Sequence, residues 1–526
     1  MQWNAWGDGT LAKPLSEDIT KLLGQILDLT PQSTPAPTVD QVTLRPSALS
    51  VDAHEALAAI VGADHISTAD ADRLTRAGGK STLDLLRRRQ SAPQDAPDAV
   101  VMPGTDTEVE AVLDLCTRQG IAVVPFGGGT SVVGGVSPIR GRFTSVITLD
   151  LRRLGGLLAL DEVSGQAVLG AGLTAPEAEA LLAEHGYELG HYPQSFRYAT
   201  IGGFAATRSS GQASAGHGRF DDMVQGLRVI TPSGPLDLGR APASAAGPNL
   251  CELFLGSEGT LGVITAVRVR VHPVPAVTRY EAWNFPDFTT GAAALRAVAQ
   301  NGMGPTVIRL SDETETGVNL AMTEAIGTDQ VTTGCLAITL FQGTAEQAAA
   351  RHELTRTALL AAGGTSLGEE PARAWEHGRF NAPYLRDSLL DVGALCETLE
   401  TATDWAHLAE LKTEVTAALQ QSLQSTGSPS LVMCHISHVY PTGASLYFTV
   451  LGAQREDAVT QWSKAKTAAG DAILANHGTI THHHAVGTDH RPWMTREIGD
   501  LGVAVLRSVK KTLDQAGILN PGKLIP

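Results

Sequence analysis

The run Pro125-Phe126-Gly127-Gly128-Gly129-Thr130-Ser131, followed by Gly134-Gly135, carries the strongest chemical signal in the chain. Adjoining glycines, lacking Cβ atoms, let backbone N–H groups converge on one anion and let a pyrophosphate approach closely, while Thr130 and Ser131 add hydroxyl donors. No lysine follows the glycines and the spacing is not GxGxxG, which argues against nucleotide hydrolysis and against NAD. Alone, such a cluster after a strand is also an ordinary tight turn. Here it has company: Thr200-Ile201-Gly202-Gly203 running to Gly211, then Gly218-Arg219-Phe220-Asp221-Asp222, then Gly256-Ser257-Glu258 running to Thr265. Each mixes glycine with polar residues beside apolar strands, which suits a long, flat, polar-edged cofactor lying against a sheet.

Two later segments hold titratable side chains: Ser437 to Phe448, with Tyr440 and Tyr447, and Gly478 to Gly487, with His482, His483 and His484. A tyrosine in an alternating strand is ordinarily a packed aromatic. Its phenol serves as an acid or base near neutrality only if neighbours shift its pKa from about 10. The three histidines read as a metal-binding tract or as a solvated loop. On a strand their side chains would alternate faces, so all three could not meet one ion. Arg309 and Arg386 read either as anion-binding forks or as members of surface or interdomain ion pairs. His435 and His438 read as strand residues rather than ligands.

The elements that must position these residues follow from apolar periodicity. Residues 1–95 read mostly as helices and loops, with helical spacing at 16–29 and 69–89 and a Pro-rich stretch at 31–39. From Ala99 a strand, a capped helix at 105–120 and a second strand at 121–127 lead into the glycines. Strand-like runs follow at 145–151, 166–173, 227–234, 236–239 and 262–274, with one helix at 175–186. Beyond Pro275, helices at 288–302, 344–364 and 405–425 alternate with strands at 305–310, 335–343, 430–440 and 444–452. That alternation predicts a second domain on an antiparallel sheet. A helix at 496–515 precedes a Gly/Pro-rich tail expected to return to the first domain. The fold class is α+β. The expected division is a helical leader 1–95, a cofactor domain 96–278, a substrate domain 279–485, and a closing helix and tail 486–526.

At 526 residues with 43% apolar content, two or more packed domains are expected. A net charge of −16 opposes non-specific attraction to nucleic acid or anionic lipid and leaves a small molecule as the expected partner. Five scattered cysteines make neither a metal spacing nor a disulfide framework, which fits a reducing cytoplasm. The first residues lack a signal-peptide pattern, no stretch approaches the roughly 20 apolar residues of a membrane span, and GKLIP is not an SKL-type peroxisomal address. A cytoplasmic, unsecreted protein is expected.

In order, PFGGGTSV, TIGGFAATRSSG, FLGSEGTLGVIT and GILNPGKL resemble the FAD-binding flavoproteins of the vanillyl-alcohol-oxidase type. The resemblance implies a PCMH-type FAD-binding domain of two α/β subdomains, plus a substrate (cap) domain with an antiparallel sheet flanked by helices. It places the FAD pyrophosphate on Pro125 to Ser131. Further contacts are implied from Gln194, Ser195, Thr200, Gly203, Thr207, Arg208, Ser209 and Ser210, and from Glu258, Gly259, Thr260, Leu261, Gly262, Val263 and Ile264. The loop holds no His or Cys for the flavin linkage some relatives make there, so FAD is expected to be non-covalent.

Relatives that oxidise 2-hydroxy acids carry HxGDGNLH and EHGIG, whose two histidines and glutamate hold a divalent metal. Those places here hold Tyr440, Tyr447 and His483, so no metal is expected. His482 to His484 instead resemble the HHHGVG run of the alkyl-dihydroxyacetone-phosphate synthases. Trp3-Asn4-Ala5-Trp6-Gly7, Arg309 in VIRLSD and Arg386 in APYLRD extend that resemblance over almost the whole chain. Ala485, for the Gly after the histidines, and Ser445, for a Cys two residues before Tyr447, depart from it and bear on substrate choice. The implied reaction exchanges the acyl group of acyl-dihydroxyacetone phosphate for a long-chain alcohol through a covalent adduct at the flavin N5. The resemblance makes Tyr447 the acid/base and Arg386 the phosphate ligand, with Arg309 beside the leaving carboxylate. His482, His483 and His484 would shuttle protons and supply a cationic field that lowers the Tyr447 pKa. A homodimer with peripheral membrane contact through an apolar mouth is expected, since no basic amphipathic helix is present. The competing reading is an FAD-linked oxidase or dehydrogenase of a 2-hydroxy acid or alcohol; a non-catalytic flavoprotein ranks third.

Overall fold

The computed structural model describes residues 1–29, 36–90, 94–302, 304–322, 333–455 and 457–526. Residues 31–35 of the Pro-rich stretch lie outside the described residues. In the first sheet, Ala99–Val101, Ser145–Asp150 and Ile121–Phe126 run parallel, with Ile66–Ser67 antiparallel at one edge. Their continuous apolar runs suit strands covered on both faces. The crossover helix Asp106–Gln119 begins at Thr105, whose hydroxyl accepts from Glu108 N, and stops at Gly120 in the left-handed region, φ 65. This unit delivers the glycine loop at the C-terminal end of Ile121–Phe126, the end of a parallel sheet where ligands bind.

The second sheet is antiparallel, in the order Leu157–Asp161, Gln166–Gly170, Val263–Arg270, Val224–Thr231, Gly234–Leu238. The glycine-rich segment after Thr200 is a short helix, Ile201–Thr207, capped by the Thr200 hydroxyl and ended by Arg208 at φ 51.

The third sheet is seven-stranded and antiparallel: Thr365–Gly368, Val277–Phe285, Cys335–Gly343, Val307–Ser311, Ser430–Val439, Gly443–Ala453, Ala394–Asp404. One face packs on the helices Phe288–Gln300, Leu408–Ser425 and Ala458–Ala475 through Trp283, Leu295, Leu411, Phe448 and Trp462. Alternation sends the neighbours of those core residues to the opposite face. Cys434 and Phe448 pair across two strands in the core, while His435 and Tyr447 pair one step along and line a cavity.

The leader packs on both sides: Ala53, Leu57, Val61 and Ile66 join the core of the first sheet, and its first helix packs on the third. Leu23 and Leu27 of the helix Glu17–Leu27 meet Leu389, Met433 and Leu451. Lys80 Nζ and Arg88 donate to the Trp3 carbonyl, and Trp6 N donates to Asp387 Oδ2 at 2.5 Å, so the Trp3 to Gly7 motif is pinned across the fold. The tail returns to the first sheet, where Asn520 N donates to Val123 O at 2.8 Å. Among the described residues no helix is long and apolar enough to cross a membrane.

Candidate active site

A cavity of about 1020 Å³ lies between the glycine loop and the free face of the seven-stranded sheet. All residues from Pro125 to Ser131 line it. Among the described residues, the amides of Gly127 to Ser131 donate to no protein acceptor. A Cβ on Gly128 would sit 2.0 Å from the Tyr198 carbonyl, and Gly129 is left-handed at φ +67, so this path of unpaired amides requires glycine. Gln194 Nε2 is buried beside them without a partner. Unpaired amides around a polar-edged cleft fit the phosphates of a dinucleotide.

Of the other expected cofactor residues, Gln194, Ser195, Thr200, Gly203, Thr207, Ser209, Ser210, Glu258, Gly259, Gly262 and Ile264 line the cavity. Four do not. The Arg208 guanidinium turns away to ion pairs with Asp221 at 2.8 Å and Glu252 at 2.6 Å, because its left-handed backbone aims it out of the site. Thr260 bonds its hydroxyl to Ser257 O, and Leu261 and Val263 pack in apolar cores. Glu258 is more than a wall: its buried carboxylate accepts from Val486 N and Gly487 N at 2.8–3.0 Å and so stitches the cofactor cleft to the histidine loop. Burial pushes this carboxyl up to about 7.

At the other end, Tyr447 lies between two imidazoles. Its ring is 4.9 Å from His435 and 6.1 Å from His483, both nearly parallel, with His484 edge-on at 5.6 Å. Burial pushes the phenol above its ordinary value, against a hydrogen bond with Thr398. The histidines lie in a loop, not on a strand, so they need not alternate. His483 and His484 line the cavity, whereas His482 sits behind with Nε2 2.6 Å from Tyr440 Oη. Burial pushes His483 and His484 down to about 4 and lowers His482 further. All three are neutral at neutral pH, which corrects the expectation of a cationic field over Tyr447: too little solvent reaches them to hold a charge.

Several residues that organise this end carried no motif. The fully buried Glu400 accepts backbone N–H bonds from His482, His483 and His484 at 2.5, 3.2 and 2.8 Å, and the Thr481 hydroxyl at 2.6 Å. Burial opposes its ionisation, but the positive charge that His483, His484 and His482 take up in acid, with the Thr481 hydroxyl bond, outweighs that and holds it well below the usual carboxylate range. Glu315 accepts from Arg309 and from His435 Nδ1, both at 2.8 Å, so it fixes one of the two rings that flank Tyr447. Burial opposes its ionisation too, and His435 with Arg309 brings it down to about 2. In sequence Glu400 merely breaks the apolar pattern of the strand Ala394–Asp404, and Glu315 stands in the polar run 311–316.

The nitrogens of His438, His482 and His483 lie within 4.8 Å of one another, a spacing that could hold a metal ion. They are engaged otherwise. His438 Nε2 donates to Gly211 O at 2.9 Å and its Nδ1 faces Ser437, while His482 Nδ1 meets His483 Nδ1 at 2.9 Å.

Arg386, on the helix Ala382–Asp391, is buried and lines the cavity. Its Nη1 donates to Lys80 O at 2.7 Å, Nη2 lies 3.5 Å from Asp387 Oδ1, and neither Nε nor Nη2 has a hydrogen-bond partner. From there an apolar arm of the cavity runs past Leu385, Leu389, Met433 and Leu451 to Leu22 and Ile26 on the leader helix.

A glycine cradle facing an antiparallel sheet across one cavity fits an FAD-binding flavoenzyme with a separate substrate wall. Family models agree: residues 97–237 match "FAD binding domain" and residues 274–524 match "FAD linked oxidases, C-terminal domain". Alkyldihydroxyacetonephosphate synthase of Dictyostelium discoideum is 32% identical over 100% of this chain and 93% of its own length. The Trypanosoma brucei brucei enzyme of that name is 31% identical over 100% and 92%. A solved alkyldihydroxyacetonephosphate synthase superposes with a TM-score of 0.86 at 29% identity, covering 100% of this chain and 99% of the other. The chain belongs to the alkyldihydroxyacetonephosphate synthase family, and its cofactor is FAD.

Proposed function

We propose that this enzyme exchanges the acyl group of an acyl-dihydroxyacetone phosphate for a long-chain alcohol, giving the alkyl-dihydroxyacetone phosphate and a fatty acid without net redox change. The observation that carries this reading is the convergence on one cavity of the FAD cradle, a buried guanidinium with unpaired N–H groups, a buried phenol and an apolar arm. The full-length likeness to the synthases supports it over a hydroxy-acid oxidase. Bound FAD, held without a covalent link, supplies the N5 locus at which one substituent of the substrate carbon replaces another.

Arg386 binds the substrate phosphate, since its Nε and Nη2, which have no hydrogen-bond partner, offer the fork that a phosphate accepts. Tyr447 keeps its proton at neutral pH and therefore acts first as a donor, toward the ketone oxygen. His483 and His484 are in their basic form there and can accept the proton α to that ketone. Arg309, braced by Glu315, orients the leaving carboxylate. His482 holds His483 without reaching the cavity. The arm takes an aliphatic chain. Leu22 and Ile26 at its mouth are 45% and 46% exposed, an apolar rim for peripheral contact with a bilayer that holds the alcohol. Vesicle co-sedimentation that is weakened in Leu22→Asp supports that contact; unchanged sedimentation removes it.

Anaerobic mixing tests the reaction. Holoenzyme with acyl-dihydroxyacetone phosphate and a fatty alcohol should release fatty acid and form ether product with no electron acceptor consumed. Acceptor-dependent turnover of a 2-hydroxy acid, with no exchange, overturns the reading. Tyr447→Phe should lower exchange by about 100-fold or more while FAD stays bound; retained activity takes the role from Tyr447.

A further inference from the structure

We propose that Tyr440, His482 and His483 form a proton relay joining the reaction cavity to the protein surface. The inference rests on the exchange reaction proposed above. At neutral pH that reaction converts an ester and an alcohol into an ether and a carboxylate, because a carboxylic acid of pKa about 4–5 ionises. Each turnover therefore leaves one proton in the reaction cavity, whose described mouth at Leu22 and Ile26 is apolar. Tyr447, buried and fully protonated, has no capacity to take it.

A hydrogen-bonded chain leads out. His483 lines the cavity, and its Nδ1 is 2.9 Å from His482 Nδ1. His482 does not line the cavity, and its Nε2 is 2.6 Å from Tyr440 Oη. Tyr440 is partly exposed, accepts from the Arg219 guanidinium and lies in the field of the exposed Asp222. Both ring nitrogens of His482 are thus in the chain, and neutral imidazole carries one proton on two nitrogens. Before transfer, His483 Nδ1–H points to His482 Nδ1, His482 Nε2–H points to the Tyr440 oxygen, and the Tyr440 O–H points outward. A proton arriving at His483 Nε2 moves His483 Nδ1–H to His482, His482 Nε2–H to Tyr440, and the Tyr440 proton to water. One proton enters, one leaves, and no residue changes net charge.

The fold holds this chain from both sides. Glu400 takes the backbone amides of His482 and His483, and Arg219 Nη1 donates to the His482 carbonyl at 3.3 Å while Asp221 grips the same guanidinium. A strut tying strand to loop would need the Tyr440–His482 bond alone. A relay also needs the second His482 nitrogen turned to a cavity-lining base, and it is.

Tyr440→Phe removes the hydroxyl and keeps the ring. In weak buffer the variant holoenzyme should lose about 10-fold or more in kcat, with KM for the acyl substrate nearly unchanged, and added imidazole should restore the rate in proportion to its concentration. An unchanged kcat, or a loss that imidazole does not lift, overturns the relay. If the variant fails to fold, wild-type enzyme in H2O–D2O mixtures decides: a curved proton inventory on kcat supports several protons moving together, and a flat or linear one overturns it. A wild type without exchange activity removes the proposed function, and the relay with it; an active wild type beside a buffer-indifferent Tyr440→Phe removes the relay alone.

Discussion

Nε and Nη2 of Arg386 are buried without hydrogen-bond partners, a state that costs free energy unless a ligand anion meets them. Lysine at this place keeps the charge and loses the fork. Arg386→Lys should therefore raise KM for the phosphate-bearing substrate about 10- to 100-fold, the worth of one or two charged hydrogen bonds, with FAD binding unchanged. Steady-state kinetics with a flavin titration check this, and an unchanged KM moves the phosphate elsewhere. The cavity positions of Arg386, Tyr447, His483 and His484 match the sequence expectation, whereas His482 lies behind the cavity. Glu315 and Glu400 were not legible in the sequence, because their meaning lies in partners far along the chain: Glu315 meets His435 120 residues away, and Glu400 meets His483 83 residues away. Arg208 erred the other way. It stands among cofactor contacts in sequence, yet one left-handed backbone angle turns it to Asp221 and Glu252.

At the scale of elements, the loop Thr481 to His484 owes its shape to one carboxylate on a neighbouring strand. Glu400→Gln keeps the size and one acceptor oxygen but replaces charge-assisted bonds with neutral ones. The variant should lose about 1–3 kcal/mol at neutral pH and most of its exchange activity, while FAD remains, since Glu258 anchors the far end of the loop. The folded pKa of Glu400 lies well below its ordinary value, so its contribution is complete above the usual carboxylate range and is lost as pH falls through that folded value. Thermal unfolding at pH 7 and near pH 3 should show the gap between wild type and variant narrowing in acid. The same strand, Ala394–Asp404, escaped the apolar reading because Glu397 and Glu400 break its pattern. The strand-helix-strand unit at 99–127 and the strands at 430–452 were legible, since their residues alternate or run apolar without such interruptions.

At the scale of the whole molecule, the cavity gathers residues from nearly every part of the chain, from Trp6 to His484, and the histidines near it share one electrostatic condition. Burial pushes His191 and His438 down to about 3, and His217, His483, His484 and His490 down to about 4, from an ordinary value of 6.5. Between those limits the unfolded chain binds protons that the folded protein refuses. Stability due to these groups is therefore present above about pH 6.5 and drains away as pH falls toward 4. Glu188 and Glu258 act in the opposite sense: raised by burial from 4.5 to about 7, they favour the folded state as pH falls through that interval. The histidines outnumber them, so Tm should be lower at pH 5 than at pH 7, with net proton uptake on unfolding at pH 5. Calorimetry in two buffers of different ionisation enthalpy measures both quantities. A Tm that rises on acidification would mean that the imidazoles around Tyr447 carry charge in the folded protein. His483 and His484 could not then accept the substrate proton, and the cationic field over the phenol would return as the better account of how Tyr447 works.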